Sequence, residues 1–106
     1  MIPKDDSVNL RGLSAEGWWA VYVADRVHKR MAGQEVVITS ARDSRHAVKR
    51  SAHYRGDAID VRIWHVKDRE VEFSNALAAE LGGAYVVILE DTHVHIHYAP
   101  TYSVQP

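Results

Sequence analysis

Two short segments of the chain alternate strictly between apolar and polar residues, and this pattern constrains the fold more than any other feature. In residues 58–63, Ile59 and Val61 would share one face of a strand, and Asp60 would lie on the other face. In residues 93–98, three histidines alternate with apolar residues in the same way. Two strands with one apolar face each predict a sheet that is covered on one side and polar on the other.

The remaining periodicity predicts two helices and two further strands. Helical spacing of apolar residues runs from Ser14, the predicted N-cap, to about Met31, and again over residues 68–81. Short apolar segments at 35–39 and 84–89 predict the other strands. This element order predicts an α+β domain with a small, largely antiparallel sheet and helices packed on one side.

Length and composition limit the chain to one small domain. We expect a single domain over residues 1–106, with an irregular lead-in at 1–13 and an irregular tail at 101–106. A formal net charge of -1 argues against nucleic acid as the main partner. The absence of cysteine excludes thiolate metal sites. No segment resembles a membrane span or a signal peptide, so we expect synthesis as a soluble cytoplasmic protein.

The polar residues of the two alternating segments include good metal ligands. His53 and Asp60 lie seven positions apart, and Gly56 between them is expected to let the loop fold back towards the site. The second segment supplies three further imidazoles: His93, His95 and His97. Neutral imidazoles and a carboxylate are the ligands of an open catalytic zinc site. Glu90 is the best candidate for a general base, with Asp91 as the alternative.

In combination, the two motifs resemble those of the M15 family of zinc peptidases. The resemblance rests on Ser-x-His-x-x-Gly-x-Ala-x-Asp at residues 51–60 and on a carboxylate followed by His-x-His at residues 90–95. This family contains D-Ala-D-Ala carboxypeptidases and L-alanyl-D-glutamate endopeptidases, and Hedgehog signalling domains share its fold. The similarity is greatest to short phage-type members and covers roughly residues 36–100.

The resemblance implies a zinc metallopeptidase that hydrolyses the peptidoglycan stem peptide and acts on the cell wall after release, in a phage or prophage context. It implies one zinc ion per chain, with the ligands His53, Asp60 and His95. The implied catalytic residues are Glu90, as the base, and His93, as a group that stabilises the transition state. The implied substrate-binding residues are Ser51, Arg42 and Arg62.

The third zinc ligand and the function each have alternatives. The phage-type pattern usually has glutamate where this chain has His97, so His93, His95 and His97 are all candidates for the third ligand. We expect His95, because His93 and His95 together match the commoner pair. Glu90 and His93 also match the spacing of related dipeptidases, in which the base precedes the ligand by three residues. The alternative function is a non-catalytic metal-binding module that uses the same groove for recognition.

Outside the motifs we expect structural roles. His28 and His65 are expected to be ordinary surface histidines. Trp18 and Trp19 are expected to belong to the core and its rim rather than to a platform for saccharides.

Overall fold

The computed structural model describes residues 1–41 and 56–100, and these contain the elements that the sequence predicts. The elements are β1 (Ile2–Pro3), α1 (Ala15–Ala32), β2 (Val37–Ser40), β3 (Ala58–Arg62), a 3-10 turn (Trp64–Val66), α2 (Glu70–Leu81), β4 (Tyr85–Leu89) and β5 (His93–Tyr98). Both predicted helices and the four predicted strands are present. No helix in the described ranges is long and apolar enough to span a membrane.

Helix α1 begins and ends where its sequence provides caps. Ser14 is the N-cap, and its hydroxyl accepts a hydrogen bond from the N–H of Gly17 at 3.0 Å. Gly33 adopts a left-handed conformation with φ 71° and donates its N–H to the carbonyl of Lys29, which ends the helix. Between the caps, the buried hydrophobic residues are small or β-branched: Ala20, Val21, Val23, Ala24 and Val27.

Five strands form one mixed sheet in the order β1-β2-β3-β5-β4. The pairings are antiparallel except that between β1 and β2, which is parallel. The α+β class and the largely antiparallel sheet are confirmed. Strand β1 departs from the irregular lead-in predicted for residues 1–13, because Ile2 and Pro3 pair with Val37 and Ile38.

The register between β3 and β5 sorts their side chains onto two faces, as the alternation predicts. Ile59 lies opposite Ile96, and Val61 lies opposite Val94. All four side chains are fully buried and belong to the hydrophobic core. The alternate residues of both strands therefore face away from this core.

Helix α2 covers the same side of the sheet as α1. Phe73 and Leu77 are fully buried and Leu81 is nearly so, as the helical spacing predicts. They join one core cluster with the buried residues of α1 and of the strands. Both helices thus pack on the apolar face, and the polar residues of β3 and β5 lie on the opposite face.

Three side chains outside the motifs are placed differently from the prediction. Trp18 and Trp19 are 43% and 49% exposed, because the part of α1 that contacts the core is narrower than the predicted apolar stripe. His28, expected at the surface, is only 1% exposed. Its Nδ1 lies 2.7 Å from the carbonyl oxygen of Gln34, and its ring meets Phe73 edge-on. This polar contact and this packing make burial of the imidazole tolerable.

Candidate functional site

The polar face of β3 and β5 brings several predicted site residues together in cross-strand pairs. The register forms three such pairs: Arg62–His93, Asp60–His95 and Ala58–His97. Directly opposite residues of antiparallel strands have Cβ atoms about 4.5–5.5 Å apart, so their side chains can touch. The ladder of histidines therefore runs alongside the strand that carries Asp60.

A tight hairpin between β4 and β5 sets the distance from Glu90 to the first histidine. Glu90 donates its N–H to the carbonyl of His93 at 2.8 Å, and Asp91 and Thr92 form the connection between the two strands. Because Glu90 and His93 flank this two-residue connection, their side chains are neighbours. Glu90 Oε2 lies 3.5 Å from His93 Nε2.

The carboxylate of Asp60 contacts two histidines through different oxygen atoms. Asp60 Oδ1 lies 2.9 Å from Nδ1 of His95, and Oδ2 lies 3.7 Å from Nε2 of His93. An ionised carboxylate can only accept hydrogen bonds, so Nδ1 of His95 carries the proton beside it. His95 therefore holds one oxygen of Asp60, while the other oxygen faces His93.

Both ring nitrogens of His95 are engaged by protein groups. Besides the contact of its Nδ1 with Asp60, its Nε2 lies 2.8 Å from Nδ1 of His97. A neutral His95 with its proton on Nδ1 accepts a hydrogen bond at Nε2, so His97 is the donor in this pair. The three residues form one hydrogen-bonded chain.

His93 is arranged differently from His95. Its Nδ1 lies 2.9 Å from the hydroxyl of Thr92, and its Nε2 lies between the carboxylates of Asp60 and Glu90. The Nε2 atom thus has two anionic groups within 4 Å. One ring nitrogen is oriented by a hydroxyl, and the other points towards the two groups with the strongest affinity for cations.

Solvent exposure increases from the strands towards the hairpin. The side chains of Asp60 and His95 are each 18% exposed, that of His93 is 25% exposed, and that of Glu90 is 49% exposed. Glu90 therefore lies at the mouth of the site, where it can exchange protons with solvent.

The start of β3 is held by a close contact with the N-terminus of α1. Gly56 has φ 79°, and a Cβ atom added to it would lie 2.3 Å from the carbonyl oxygen of Gly12. Gly17 would clash in the same way with the carbonyl of Gly56. The hydroxyl of Ser14 lies 2.6 Å from Oδ1 of Asp57 and so links the helix cap to the strand. Gly56 is therefore required for the contact between α1 and the segment that leads to Asp60.

Arg62, a predicted substrate-binding residue, lies beside His93 on the polar face. Its guanidinium carbon is 3.6 Å from the centroid of the Trp64 ring. This cation–π contact fixes the side chain at the end of β3 without neutralising its charge. A positive charge therefore lies next to the site, and the substrate-binding role of Arg62 stays a prediction.

Two contacts involve residues that sequence reasoning gave no role. The hydroxyl of Thr39 donates to the carbonyl of Asp60 at 3.3 Å, and an irregularity in the β2–β3 register places Ser40 opposite Asp60. Thr92 contacts His93. The only sequence signal for Thr92 was its place in a two-residue turn between a carboxylate and a histidine.

Three of the predicted site residues, His53, Ser51 and Arg42, lie outside the described residues. Asp60, Glu90, His93 and His95 are brought together. Within residues 1–41 and 56–100, no group of three or more histidine, aspartate or glutamate residues is arranged as a metal site. The proposed ligand set includes His53 and so extends beyond that range.

Two adjoining clefts flank the hairpin on the side of α2. One has a volume of about 340 Å³ and is lined by Ile63, Trp64, Lys67, Glu70, Asp91 and Thr92. The other has a volume of about 300 Å³ and is lined by Ile63, Glu70, Val71, Leu89, Glu90 and Asp91. Their shared residues join them into one groove, which reaches Glu90.

Comparisons of this chain with protein-family models, with curated proteins and with solved structures found no significant match.

Proposed function

We propose that this chain is a zinc-dependent peptidase with the Hedgehog/DD-peptidase type of fold, and that it cleaves the stem peptide of bacterial peptidoglycan. The observation that carries the proposal is the position of His93 Nε2, 3.7 Å from a carboxylate oxygen of Asp60 and 3.5 Å from one of Glu90. An imidazole nitrogen facing two carboxylates, one less exposed and one at the mouth, provides a ligand pair and an adjacent base. The resemblance to the peptidase family supplies the substrate class.

We assign the zinc ligands to His53, Asp60 and His93, which replaces His95 by His93. Oδ2 of Asp60 lies 3.7 Å from Nε2 of His93, so these two atoms are near enough to hold one ion together. His95 instead uses Nδ1 to hold Oδ1 of Asp60. The other ring nitrogen of His95, Nε2, contacts His97, so we assign His95 to orienting Asp60, because carboxylates that bind a metal are themselves hydrogen-bonded by neighbouring groups.

The zinc ion, when bound, makes a water molecule nucleophilic near neutral pH and polarises the scissile carbonyl. Glu90 accepts the proton of the attacking water and delivers it to the leaving amine. The tight turn at Asp91 and Thr92 fixes the backbone of Glu90 beside that of His93, which keeps the carboxylate within reach of the imidazole. His95 and His97 hold Asp60 in orientation, and Arg62 provides positive charge for a substrate carboxylate.

The cleft lined by Trp64 and Lys67 gives the peptide room beside the hairpin, on the α2 side of the sheet. It combines apolar surface from Ile63 and Trp64 with charged groups from Lys67 and Glu70. A stem peptide, with small apolar side chains and free carboxylates, has matching chemistry. Cleavage at either the D-Ala-D-Ala or the L-Ala-D-Glu bond is consistent with this groove.

The ligand assignment is tested by the zinc content of single alanine variants. We expect His93→Ala to bind zinc more than about a hundredfold more weakly than wild type, and His95→Ala about 10–100-fold more weakly, because loss of an orienting contact typically has that effect. His65→Ala, an exposed histidine outside the site, serves as the control. Zinc affinity that falls more in His95→Ala than in His93→Ala would restore the original assignment.

Catalysis is tested by Glu90→Gln on purified peptidoglycan and on synthetic stem peptides. We expect the variant to keep its zinc and to lose activity by a factor of about 10²–10⁴, since general-base catalysis has that magnitude. Asp91→Asn, which changes the adjacent carboxylate in the same turn, should keep most of the activity. A zinc-loaded wild-type chain that binds stem peptides and cleaves none would instead identify the non-catalytic recognition module.

A further inference from the structure

Strand β4 is an edge of the sheet, and its sequence is apolar along its whole length. It pairs on one side with β5 and has no other partner strand among the described residues. Its five residues read Tyr-Val-Val-Ile-Leu and include neither a charge nor a proline. Three of its side chains are substantially exposed: Val86 (37%), Ile88 (44%) and Leu89 (36%). Proteins normally protect such edges with charges, prolines or bulges.

The hydrogen-bond pattern shows which backbone groups of β4 point outward. The carbonyl of Ala84 accepts from Ala99, and the N–H of Glu90 donates to His93, so the even-numbered residues exchange their bonds with β5. Val87 and Leu89 therefore direct their N–H and carbonyl groups away from the sheet. Within residues 1–41 and 56–100, no group bonds to these outward donors and acceptors.

We propose that β4 pairs antiparallel with β4 of a second copy of this chain, which forms a symmetric dimer with a continuous ten-stranded sheet. The twofold axis passes beside Val87, so that Val87 lies opposite its own counterpart. Tyr85 lies opposite Leu89 of the second copy, and Val86 lies opposite Ile88 of the second copy. In this register the N–H and carbonyl of Val87 meet those of its counterpart across the axis, and the N–H of Leu89 meets the carbonyl of Tyr85. The N–H of Tyr85 is already donated to the carbonyl of Gly82 and takes no part in the pairing. Every pair is apolar, and no charge is buried.

Helix α2 supplies a second contact alongside the strands. A pairing of two five-residue strands buries less than the roughly 1,200–2,000 Å² of a stable interface. Helix α2 packs over β4, and Glu80 on its α1 side contacts Arg30. By helical spacing, the opposite side of α2 carries Val71, Ser74 and Ala78, which are small enough for two copies of the helix to approach. Val71 is 63% exposed and lines the same cleft as Leu89, so the apolar strip is continuous from helix to strand. The dimer would cover this cleft and leave open the adjoining one, which is lined by Trp64 and Lys67.

The other edge of the sheet, strand β1, is unsuited to pairing with a further copy, which would limit the assembly to a dimer. Strand β1 contains Pro3, and its outward side lacks the N–H group that a further strand would need. Residues Ile2 and Lys4 direct their N–H groups inward to β2. Pairing through β4 therefore produces a closed dimer rather than a fibre.

Cysteine cross-linking tests the register, because the chain contains no cysteine of its own. In the proposed dimer the two Cα atoms of residue 87 are about 5.5 Å apart, within the range of a disulfide. The two Cα atoms of residue 89 are four residues out of register, about 14 Å apart. We expect oxidised Val87→Cys to form at least about tenfold more covalent dimer than Leu89→Cys, which is the matched control on the same strand and face.

Sedimentation of the unmodified chain and of edge variants completes the test. We expect wild type to sediment as a dimer at high micromolar concentration, and Ile88→Lys to shift it to monomer by placing two charges in the pairing. Ile2→Lys on the opposite edge should leave the dimer intact. Three outcomes would each overturn the proposal: equal cross-linking of Val87→Cys and Leu89→Cys, assemblies larger than a dimer, or a wild-type monomer at that concentration. A monomer would indicate that β4 pairs with a strand of a different protein.

Discussion

Two glycines fix how closely α1 approaches the strand that carries Asp60. Gly56 and Gly17 let backbone contact backbone, and a side chain at either position would need space that the adjacent carbonyl occupies. Gly56 also has a positive φ, a backbone conformation that is unfavourable for residues with a side chain. The position of Asp60 thus depends on a contact in which neither partner has a side chain.

We expect Gly56→Ala to lower the free energy of unfolding by about 2–4 kcal/mol, because it combines backbone strain with a backbone clash. Gly33→Ala is the matched control: it has a similar φ of 71°, but an added Cβ would meet nothing within 4 Å. The control should cost only about 1–2 kcal/mol. Urea unfolding measures both, and equal losses would show that strain alone matters at Gly56.

Tyr85 links the sheet to α1 through a hydrogen bond whose loss can be followed by pH. Its hydroxyl donates to the carbonyl of Glu16 at 2.8 Å. Burial, followed by the nearby negative charge of Glu16, raises the pKa of Tyr85 from 10.0 to about 12. Between these values the native state binds more protons than the unfolded state, so stability is complete below pH 10 and falls as the pH rises towards 12.

We therefore expect the free energy of unfolding of wild type to fall more steeply between pH 10 and 12 than that of Tyr85→Phe. At neutral pH the variant should be less stable by about 1 kcal/mol, the usual net contribution of one hydrogen bond. Chemical denaturation across this pH range measures the difference. Parallel curves for the two proteins would contradict the raised pKa.

Among the elements, α1 depends most clearly on a single residue outside its own length. The hydroxyl of Ser14 accepts a hydrogen bond from the N–H of Gly17 and donates one to Asp57, the residue that precedes β3. The same hydroxyl therefore caps the helix and connects it to the strand of the site.

We expect Ser14→Ala to lower the free energy of unfolding by about 1–2 kcal/mol, the upper part of the range for a lost N-cap. Ser14→Thr, which keeps the hydroxyl, should restore most of the stability. Ser74→Ala on α2 removes a hydroxyl without a capping role and should change stability by less than about 0.5 kcal/mol. Thermal unfolding of the three variants distinguishes capping from a general loss of a hydroxyl.

The spacing of apolar residues predicted the helices and strands in which buried residues recur at regular intervals along the chain. The alternation in β3 and β5 predicted that Ile59 and Val61 would be buried and that Asp60 would face away. Strand β1 has two residues and gains its partners from residues far along the chain, so no local pattern marks it. The exposed Trp18 and Trp19 show a related limit, because helical spacing predicts a side of α1 but not the width that the sheet covers.

The candidate site was predictable in its composition but not in its pairings. Alternation placed three histidines on one face, yet only the register shows that His95, rather than His93, lies directly opposite Asp60. That opposition gives His95 its hydrogen bond with Asp60 and leaves His93 facing two carboxylates. The burial of His28 depends on the carbonyl of Gln34, a contact that no spacing rule identifies.

For the whole molecule, the binding free energy of an ion would add to the stability that a small hydrophobic core provides. The proposed ligands connect β3, β5 and the segment that contains His53, so an ion would bind the native chain and not the unfolded one. Metal at a thousandfold excess over its dissociation constant adds about 4 kcal/mol to stability. In a domain of this size, each kilocalorie per mole corresponds to a shift of about 4–8 °C in the melting temperature.

We therefore expect a chelator to lower the melting temperature of the zinc-loaded wild type by about 15 °C or more. Asp60→Ala, which lacks a proposed ligand, should melt at one temperature with or without zinc. Magnesium in place of zinc should leave both proteins unchanged, because it prefers oxygen ligands. Identical melting of the zinc-loaded and chelated wild type would contradict the proposed coupling.

The hairpin that joins β4 to β5 has a consequence for the order in which the site assembles. Glu90 and His93 are three residues apart, so they meet as soon as the turn closes, an event that takes microseconds in isolated hairpins. Asp60 reaches them only through pairing with a strand more than thirty residues away in sequence, and such distant contacts form late. We expect Glu90 and His93 to come together when the hairpin forms, and Asp60 to join them only when the sheet is complete. The base would then be in place before any ion is held beside it.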